Sequence, residues 1–149
     1  MAVMNKILIR FTFFTTLMVL VATVVHAQVD KIEGLWFNDA KDAKIQIYKG
    51  VDGKFYGKIV WLKDPLKNGK PKTDEKNRVE KLQNHPLISL VILKGFQKSG
   101  SSYTEGTIYD PENGKVYDCK MTYNGRNLSI RGYIGFSFIG RTTVWERAS

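Results

Sequence analysis

The feature that most constrains the fold is a two-residue alternation of apolar and polar side chains, which recurs from residue 34 onwards. Such alternation is typical of strands with one buried and one exposed face. Dipeptides that favour tight hairpin turns interrupt it at Asp52-Gly53, Asn113-Gly114 and Asn124-Gly125. We therefore predict eight strands, at about residues 34–38, 43–49, 54–62, 90–98, 102–109, 115–123, 126–133 and 141–148.

Eight sequential strands joined mostly by hairpins predict an all-β, eight-stranded antiparallel up-and-down barrel. Closure removes the edges that an open sheet would have to protect, although a two-sheet sandwich is the structural alternative. One connection, Lys63–Leu87 between the third and fourth strands, is too long for a hairpin. Within it, residues 74–84 have the pattern of a short helix capped by Asp74. Connections of this length in compact domains are usually functional or disordered.

Residues 1–27 have the pattern of an export signal. Lys6 and Arg10 precede an apolar run, Phe11–Val25, and Val25-His26-Ala27 forms a cleavage site before Gln28. The apolar run is about 15 residues, short for a membrane span of ~20, and an uncleaved anchor is the alternative. We expect a single domain over residues 28–149 that is periplasmic or secreted.

The chain is basic, with 23 Lys and Arg against 14 Asp and Glu and a net charge of +9. Loss of Lys6 and Arg10 with the signal leaves +7 on the mature chain. In an exported protein this favours an anionic envelope surface over nucleic acid as a partner, and a merely soluble surface is the alternative. The single cysteine, Cys119, forms no intramolecular disulfide and alternates onto the apolar face, so we expect a buried thiol.

Residues suited to catalysis or metal binding are sparse. The mature chain has one histidine, His85, and one cysteine, too few for a zinc site. His85 is more simply a loop residue than part of a catalytic triad, and "DPENG" at 110–114 lacks the ligand spacing of a calcium loop. Asp110 and Glu112 can either act as an acid–base pair on a sugar or solvate a turn. We expect no catalytic residues, no metal and no cofactor.

The two ends of the domain carry a candidate structural pair. In a closed barrel the first and last strands are neighbours, so Trp36 can meet Arg147. Stacking of the guanidinium on the indole would cover the barrel floor, and Gly34 would let the incoming backbone pass close beneath. We assign Gly34, Trp36 and Arg147 structural roles.

This arrangement resembles the calycin superfamily, which includes lipocalins and avidin-like proteins, and "GLWFN" at 34–38 resembles the avidin-like opening. "GKIVWL", "YDPENGKVYD" and "RGYIGFSFIGRTTVWER" resemble the bacterial exported family catalogued as domain of unknown function 2147. Asp74-x-x-Asn77 resembles the loop motif of that family, whereas Asn84-His85 stands where the family commonly has an Arg. The resemblance implies a calycin-like barrel in the periplasm or outside the cell, and no established activity.

The order of the connections along the chain indicates at which end of the barrel the candidate site lies. Alternate connections of an up-and-down barrel lie at opposite ends, so the long connections gather at one rim, where functional loops are usual. We predict that this rim is the mouth of a ligand site, with Lys63–Leu87 as its lid and Arg141 available to an acidic ligand group. Gly57 shares a face with Phe55, Ile59 and Trp61, and if that face is inward, as Lys58 on the other face suggests, Gly57 leaves a gap that favours a cavity. The predicted ligand-binding residues are Trp61, Asp74, Asn77, Tyr109, Asp110, Tyr117, Phe136, Phe138, Arg141 and Trp145.

Three functions are compatible with this pattern. We expect a non-enzymatic binding module for a small apolar or amphipathic molecule inside the barrel. The alternative is an interaction protein with a filled barrel, whose basic loops act at the cell envelope. For the rim residues the alternative is structural: Asp74 caps a helix, Asp110 holds a turn, and Phe136 and Phe138 plug the barrel. An enzyme acting on envelope carbohydrate or lipid is the least favoured.

Overall fold

A computed structural model describes residues 29–148, which form a closed barrel of eight antiparallel strands and confirm the predicted fold class. The barrel strands are β1 (Gly34–Phe37), β2 (Ala43–Lys49), β3 (Phe55–Leu62), β6 (Val91–Ser99), β7 (Ser102–Asp110), β8 (Lys115–Tyr123), β9 (Asn127–Tyr133) and β10 (Gly140–Arg147). Two short strands, β4 (Leu66–Lys67) and β5 (Lys70–Pro71), form a separate hairpin in the long connection. The expected export signal and its cleavage site before Gln28 lie outside the described residues.

The order of strands around the barrel is β1-β10-β9-β8-β7-β6-β3-β2. Every hydrogen-bonded pair except β1–β10 therefore joins barrel strands that follow one another along the chain, as up-and-down topology requires. The β1–β10 pair closes the barrel and places Trp36 opposite Arg147. The turn dipeptides identify the hairpins correctly because each supplies the positive φ that tight turns need, as Gly53, Gly114 and Gly125 show.

One half of the barrel is filled by large buried side chains: Phe55, Phe96, Tyr103 and Met121. Glycine makes room for two of the residues in this core. A Cβ on Gly106 would lie 2.4 Å from the ring of Phe96, and a Cβ on Gly57 would lie 2.8 Å from Leu93. The gap at Gly57, expected to leave space for a ligand, is therefore occupied by Leu93.

The filled half ends in a floor, which we call the closed end. Ile32 and Trp36 are fully buried there, and the indole Nε1–H of Trp36 donates a hydrogen bond to the carbonyl of Ile32, 2.8 Å away. The Arg147 guanidinium lies over the Trp36 ring, 4.2 Å from its centroid, and donates to the carbonyl of Glu33 at 2.9 Å. A Cβ on Gly34 would lie 2.6 Å from Arg147 Nη1, so glycine at this position makes space for the guanidinium.

Asp30 ties the segment before β1 to the far wall of the barrel. Its carboxylate accepts hydrogen bonds from the Tyr103 hydroxyl and, at 2.5 Å, from Lys98 Nζ. Burial alone would raise the pKa of Asp30, but the hydrogen bonds from Lys98, Tyr103 and the Ile32 amide outweigh it and lower the pKa. Burial and the bond to Asp30 raise the pKa of Tyr103.

The predicted helix over residues 74–84 is not formed: this stretch contains only a short 3₁₀ turn, Glu80–Leu82. The N-cap residue of this turn is Val79, and no side chain caps it. Asp74 is hydrogen-bonded elsewhere, and the connection is held by tertiary contacts rather than by a regular helix. Within residues 29–148, no helix has the length and apolarity to cross a bilayer.

Candidate functional site

The half of the barrel opposite the closed end contains a cavity of about 850 Å³. The aliphatic part of its wall and Trp145 come from five strands, through Ala43, Ile45, Ile59, Leu62, Ile92, Ile130 and Trp145, and Tyr117 adds a sixth strand, β8. The volume lies within the range of roughly 300–1,000 Å³ found for small-molecule sites. The barrel is thus filled at one end and hollow at the other.

The mouth of the cavity is built by the four connections that parity places at one end. The β1–β2 connection contributes residues 38–40 and 42, and the β7–β8 turn contributes residues 110–113. The remaining mouth residues are Asp64, Lys72 and Leu87 from the long connection, and Ile134, Ile139, Gly140 and Arg141 from the β9–β10 loop and the start of β10. All four of these connections therefore reach the same opening.

Carboxylates predominate among the charged groups of the mouth. Five line it, namely Asp39, Asp42, Asp64, Asp110 and Glu112, against two cations, Lys72 and Arg141. The ion pairs found within residues 29–148 use other acids, Asp30, Glu75 and Glu146. The mouth is therefore locally acidic in a protein whose overall charge is positive.

Four of the predicted ligand-binding residues line the cavity: Asp110, Tyr117, Arg141 and Trp145. Trp145 is buried and faces inward from β10. Asp110 accepts hydrogen bonds from the Glu112 amide at 2.9 Å and from Asn113 Nδ2 at 2.7 Å, so it holds the β7–β8 turn as well as lining the mouth. Asn113 Nδ2 also donates to the Tyr117 hydroxyl at 3.0 Å, which fixes that ring at the wall.

Three other predicted residues form a network that does not line the cavity. Asp74 is 1% exposed, and its carboxylate accepts hydrogen bonds from the Tyr109 hydroxyl at 2.6 Å and from Asn77 Nδ2 at 2.7 Å. Burial, together with the bond to Asp74, raises the pKa of Tyr109 to about 12. Tyr109 is therefore a neutral donor at physiological pH, and the network ties the long connection to β7.

The backbone around Asp74 extends this attachment. The amide of Asp74 donates to the carbonyl of His85 at 2.9 Å, so the middle of the connection is paired with its last residues. A Cβ on Gly114 would lie 1.8 Å from the carbonyl oxygen of Lys76, which shows how closely the connection packs on the β7–β8 turn. Asp74 and Asn77 thus position the connection that carries Lys72 and Leu87 to the mouth.

Trp61 lies outside the cavity because β3 contains an irregularity that simple alternation cannot anticipate. Lys44 pairs with Trp61, but the next residue, Ile45, pairs with Ile59. One residue of β3 is therefore extra, and a bulge of this kind shifts the residues beyond it to the opposite faces. Leu62 lines the cavity in place of Trp61, which is 39% exposed and packs edge-on against Phe37 with ring centroids 6.1 Å apart.

Phe136 and Phe138 neither plug the barrel nor line the cavity. Both are exposed in the β9–β10 loop, where their rings stack with centroids 5.5 Å apart. Their neighbours Ile134 and Ile139 line the mouth instead. The loop was correctly placed at the rim, but the side chains that face the opening are the isoleucines.

The sequence prediction missed most of the wall and most of the mouth carboxylates. Ile45 and Ile59 stand on the buried faces of correctly predicted strands, so alternation together with distance from the closed end would have identified them. Asp39 and Asp42 belong to the short β1–β2 connection, which parity already placed at the mouth. No sequence feature indicates that Asp64 and Lys72 lie at the mouth, because their positions depend on how the long connection folds.

The thiol of Cys119 and the imidazole of His85 do not line the cavity. Cys119 is fully buried, and burial raises the pKa of its thiol to about 12, as expected for an inert hydrophobe. His85 is an exposed residue of the long connection. Within residues 29–148, no group of three or more His, Cys, Asp or Glu side chains is arranged to hold a metal ion.

These features define a class: a lipocalin-like antiparallel barrel, closed at one end and hollow at the other. The model of the family described as "Uncharacterized protein conserved in bacteria (DUF2147)" matches residues 34–147, and the chain belongs to this family. It is also similar to the solved structure of protein HP1028 from Helicobacter pylori, which is described as belonging to the lipocalin family. That similarity has a TM-score of 0.64 and 26% identity, and covers 72% of this chain and 73% of the other. Comparison with curated proteins found no match.

Proposed function

We propose that the protein is a non-enzymatic binding module that holds one small apolar or amphipathic molecule in its barrel. The observation that carries this proposal is the cavity of about 850 Å³ with an apolar wall. A barrel packed throughout would instead have favoured a protein that acts through its outer surface. The similarity to a structure described as a lipocalin supports the same class of function.

The composition of the site favours a ligand with an apolar body and a polar head at the mouth. The apolar wall can bury hydrocarbon, and each buried CH₂ is worth about 0.8 kcal/mol. Five carboxylates against two cations at the mouth favour a neutral or cationic head over an acidic one. Arg141, predicted to contact an acidic group, is the residue that an anionic ligand would use.

The first experiment tests whether the cavity binds an apolar molecule at all. The neutral dye N-phenyl-1-naphthylamine is titrated into the protein, and its fluorescence reports transfer into an apolar site. We expect saturable binding of one dye per chain. The filling variant Gly132→Phe should abolish binding, because a Cβ at Gly132 has ordinary contacts and a larger side chain would enter the cavity.

The matched control is Ser129→Phe, which adds the same ring to β9 on the opposite face. Ser129 alternates with Leu128 and Ile130, which are buried, so the new ring would lie outside the barrel. The control should bind the dye as the wild type does. Absence of dye binding to the wild-type protein, or equal loss in both variants, would contradict a ligand cavity.

A second experiment identifies the head group. Dodecylamine, dodecanol and dodecanoate have the same alkyl chain and differ in head charge, so their competition with the dye isolates the contribution of the mouth. We expect dodecylamine and dodecanol to compete more strongly than dodecanoate. Stronger competition by dodecanoate, lost in Arg141→Ala, would instead identify an acidic ligand. Native mass spectrometry of protein from its own host would then reveal the mass of a co-purifying ligand.

We also propose that the protein acts after export. The basic start, the apolar run and the Val-x-Ala site of residues 1–27 support this location.

A further inference from the structure

The β9–β10 loop presents an exposed apolar surface, which we call the apolar tip and define as residues 134–139. Ile134, Phe136, Phe138 and Ile139 have 71%, 67%, 76% and 61% of their surfaces exposed. Single exposed apolar residues are ordinary, whereas four large ones within six positions form a patch of the kind that marks an interaction site. Because Ile134 and Ile139 also line the cavity mouth, the tip is continuous with the opening.

The tip is held in this exposed arrangement by hydrogen bonds. The amide of Phe136 donates to the carbonyl of Ile134 at 3.0 Å, and the amide of Ile139 donates to the carbonyl of Phe136 at 3.0 Å. Arg131 Nε donates to the carbonyl of Ser137 at 2.5 Å, which joins the loop to the wall of the barrel. The loop backbone is thus bonded in a form that leaves both phenylalanines outside the core.

Cationic side chains flank the tip and stand across the mouth from it. Arg131 lies opposite Lys120 of β8 on the outer surface below the loop, and one acid of β8, Asp118, stands nearer to the loop, opposite Tyr133. Across the opening, with two strands intervening on either side, the Lys63–Leu87 connection carries seven Lys and Arg against four acids. An apolar insertion surface combined with nearby basic groups is the combination that binds bilayers bearing anionic lipid.

We propose that the apolar tip docks the open end of the barrel on a lipid bilayer that carries anionic headgroups. Phe136 and Phe138 enter the boundary between headgroups and acyl chains, and the basic connection lies over the headgroups. The net charge of +7 on residues 28–149 has the sign that such a surface attracts, although the mouth itself is acidic. The proposal goes beyond ligand binding and does not depend on it, since the tip is held by hydrogen bonds within the loop and from Arg131.

The test is co-sedimentation of the purified protein with vesicles of phosphatidylcholine, alone or mixed with phosphatidylglycerol. We expect binding to the mixed vesicles that weakens with added salt, and weaker binding to the neutral ones. Phe136→Ser combined with Phe138→Ser should reduce affinity for the mixed vesicles by about tenfold or more, because two aromatic rings no longer enter the interface. The control Val51→Ser removes an exposed apolar side chain at the closed end and should bind as the wild type does.

Three results would overturn the proposal. One is equal binding by the double variant, and another is equal binding to neutral and anionic vesicles. The third is a wild-type dimer in sedimentation velocity that becomes monomeric in the double variant while neither binds vesicles, because the tip would then be a contact between two copies. Dye binding in the absence of vesicles should be unchanged in the double variant, which separates docking from the proposed cavity function.

A second variant keeps the test decisive if the double variant does not fold. Phe138→Trp preserves an aromatic ring at the tip and adds a fluorescent reporter at an exposed position. Its emission should shift to the blue when mixed vesicles are added, relative to the wild type under the same conditions. Absence of that shift would also overturn the proposal.

Discussion

Replacement of Trp36 by alanine is the sharpest test of the closed end. The change removes a fully buried indole, its hydrogen bond to the Ile32 carbonyl at 2.8 Å, and the ring beneath the Arg147 guanidinium at 4.2 Å. It also removes an edge contact with Tyr123, whose ring centroid is 6.2 Å away. Truncation of a large core aromatic costs about 3–5 kcal/mol of unfolding free energy. We expect a value in the upper part of that range, because the Ile32 carbonyl also loses its donor.

Two further variants divide this cost between its sources. Trp36→Phe keeps most of the ring but loses the indole N–H, so its cost should be near the ~1–3 kcal/mol of a buried group left unpaired. Arg147→Ala keeps the indole and loses the stacked guanidinium, for which about 0.5–2 kcal/mol is expected. Trp61→Ala is the matched control, because the same residue type is removed from the outer surface, and it should cost less than Trp36→Ala.

The assay is guanidinium unfolding followed by far-ultraviolet circular dichroism, since tryptophan emission itself changes in these variants. Unfolding midpoints of Trp36→Ala and Arg147→Ala equal to that of the wild type would refute the reasoning about the closed end. A loss in Trp61→Ala as large as that in Trp36→Ala would do the same. With a total stability of ~5–15 kcal/mol expected for a domain of this kind, the Trp36→Ala variant should remain measurable or be marginally folded.

Three other outcomes are expected. Asp30→Asn should destabilise the protein at pH 7, and the difference in unfolding free energy should shrink as the pH falls below 3.8, the ordinary pKa of this carboxyl, because its pKa in the fold is lower. A pH-independent difference, measured by urea unfolding, would contradict this. The Cys119 thiol should not react with Ellman's reagent at pH 8 until the protein is unfolded, because its pKa is raised to about 12. Intact-mass analysis of exported protein should give an amino terminus at Gln28, whereas a mass that retains residues 11–25 would show an anchor.

The barrel fold could be predicted from the sequence because most of the sequence features that specify it are local. Strands follow from alternation, hairpins from turn dipeptides, and the position of the mouth from counting connections. The contact between the first and last strands is non-local, and it follows from closure of the barrel, which also brings Trp36 to Arg147. Each step depends on a short window of the chain or on the topology that those windows imply.

The predicted site was less complete because its details depend on tertiary structure. One extra residue in β3 moves Trp61 outside and Leu62 into the cavity, and the residue types around the bulge do not signal it. Asp74 followed the pattern of a helix cap, but the Tyr109 hydroxyl, 35 positions later, is its partner. Hydrogen-bond partners so far apart in the sequence come together only in the folded protein, so the composition of a loop does not reveal them.

Ile134 and Ile139 join the two proposals, because they belong both to the cavity mouth and to the apolar tip. A ligand that left the barrel through water would expose its apolar body at a cost of about 0.8 kcal/mol for each CH₂ group. A mouth held against a bilayer by Phe136 and Phe138 would shorten or remove that aqueous step, since the isoleucines continue the apolar surface from cavity to lipid. The two proposals together therefore predict that the barrel exchanges its ligand with the membrane rather than with the surrounding solution. The apolar residues beside the opening would then serve as a continuous apolar path between the cavity and the lipid.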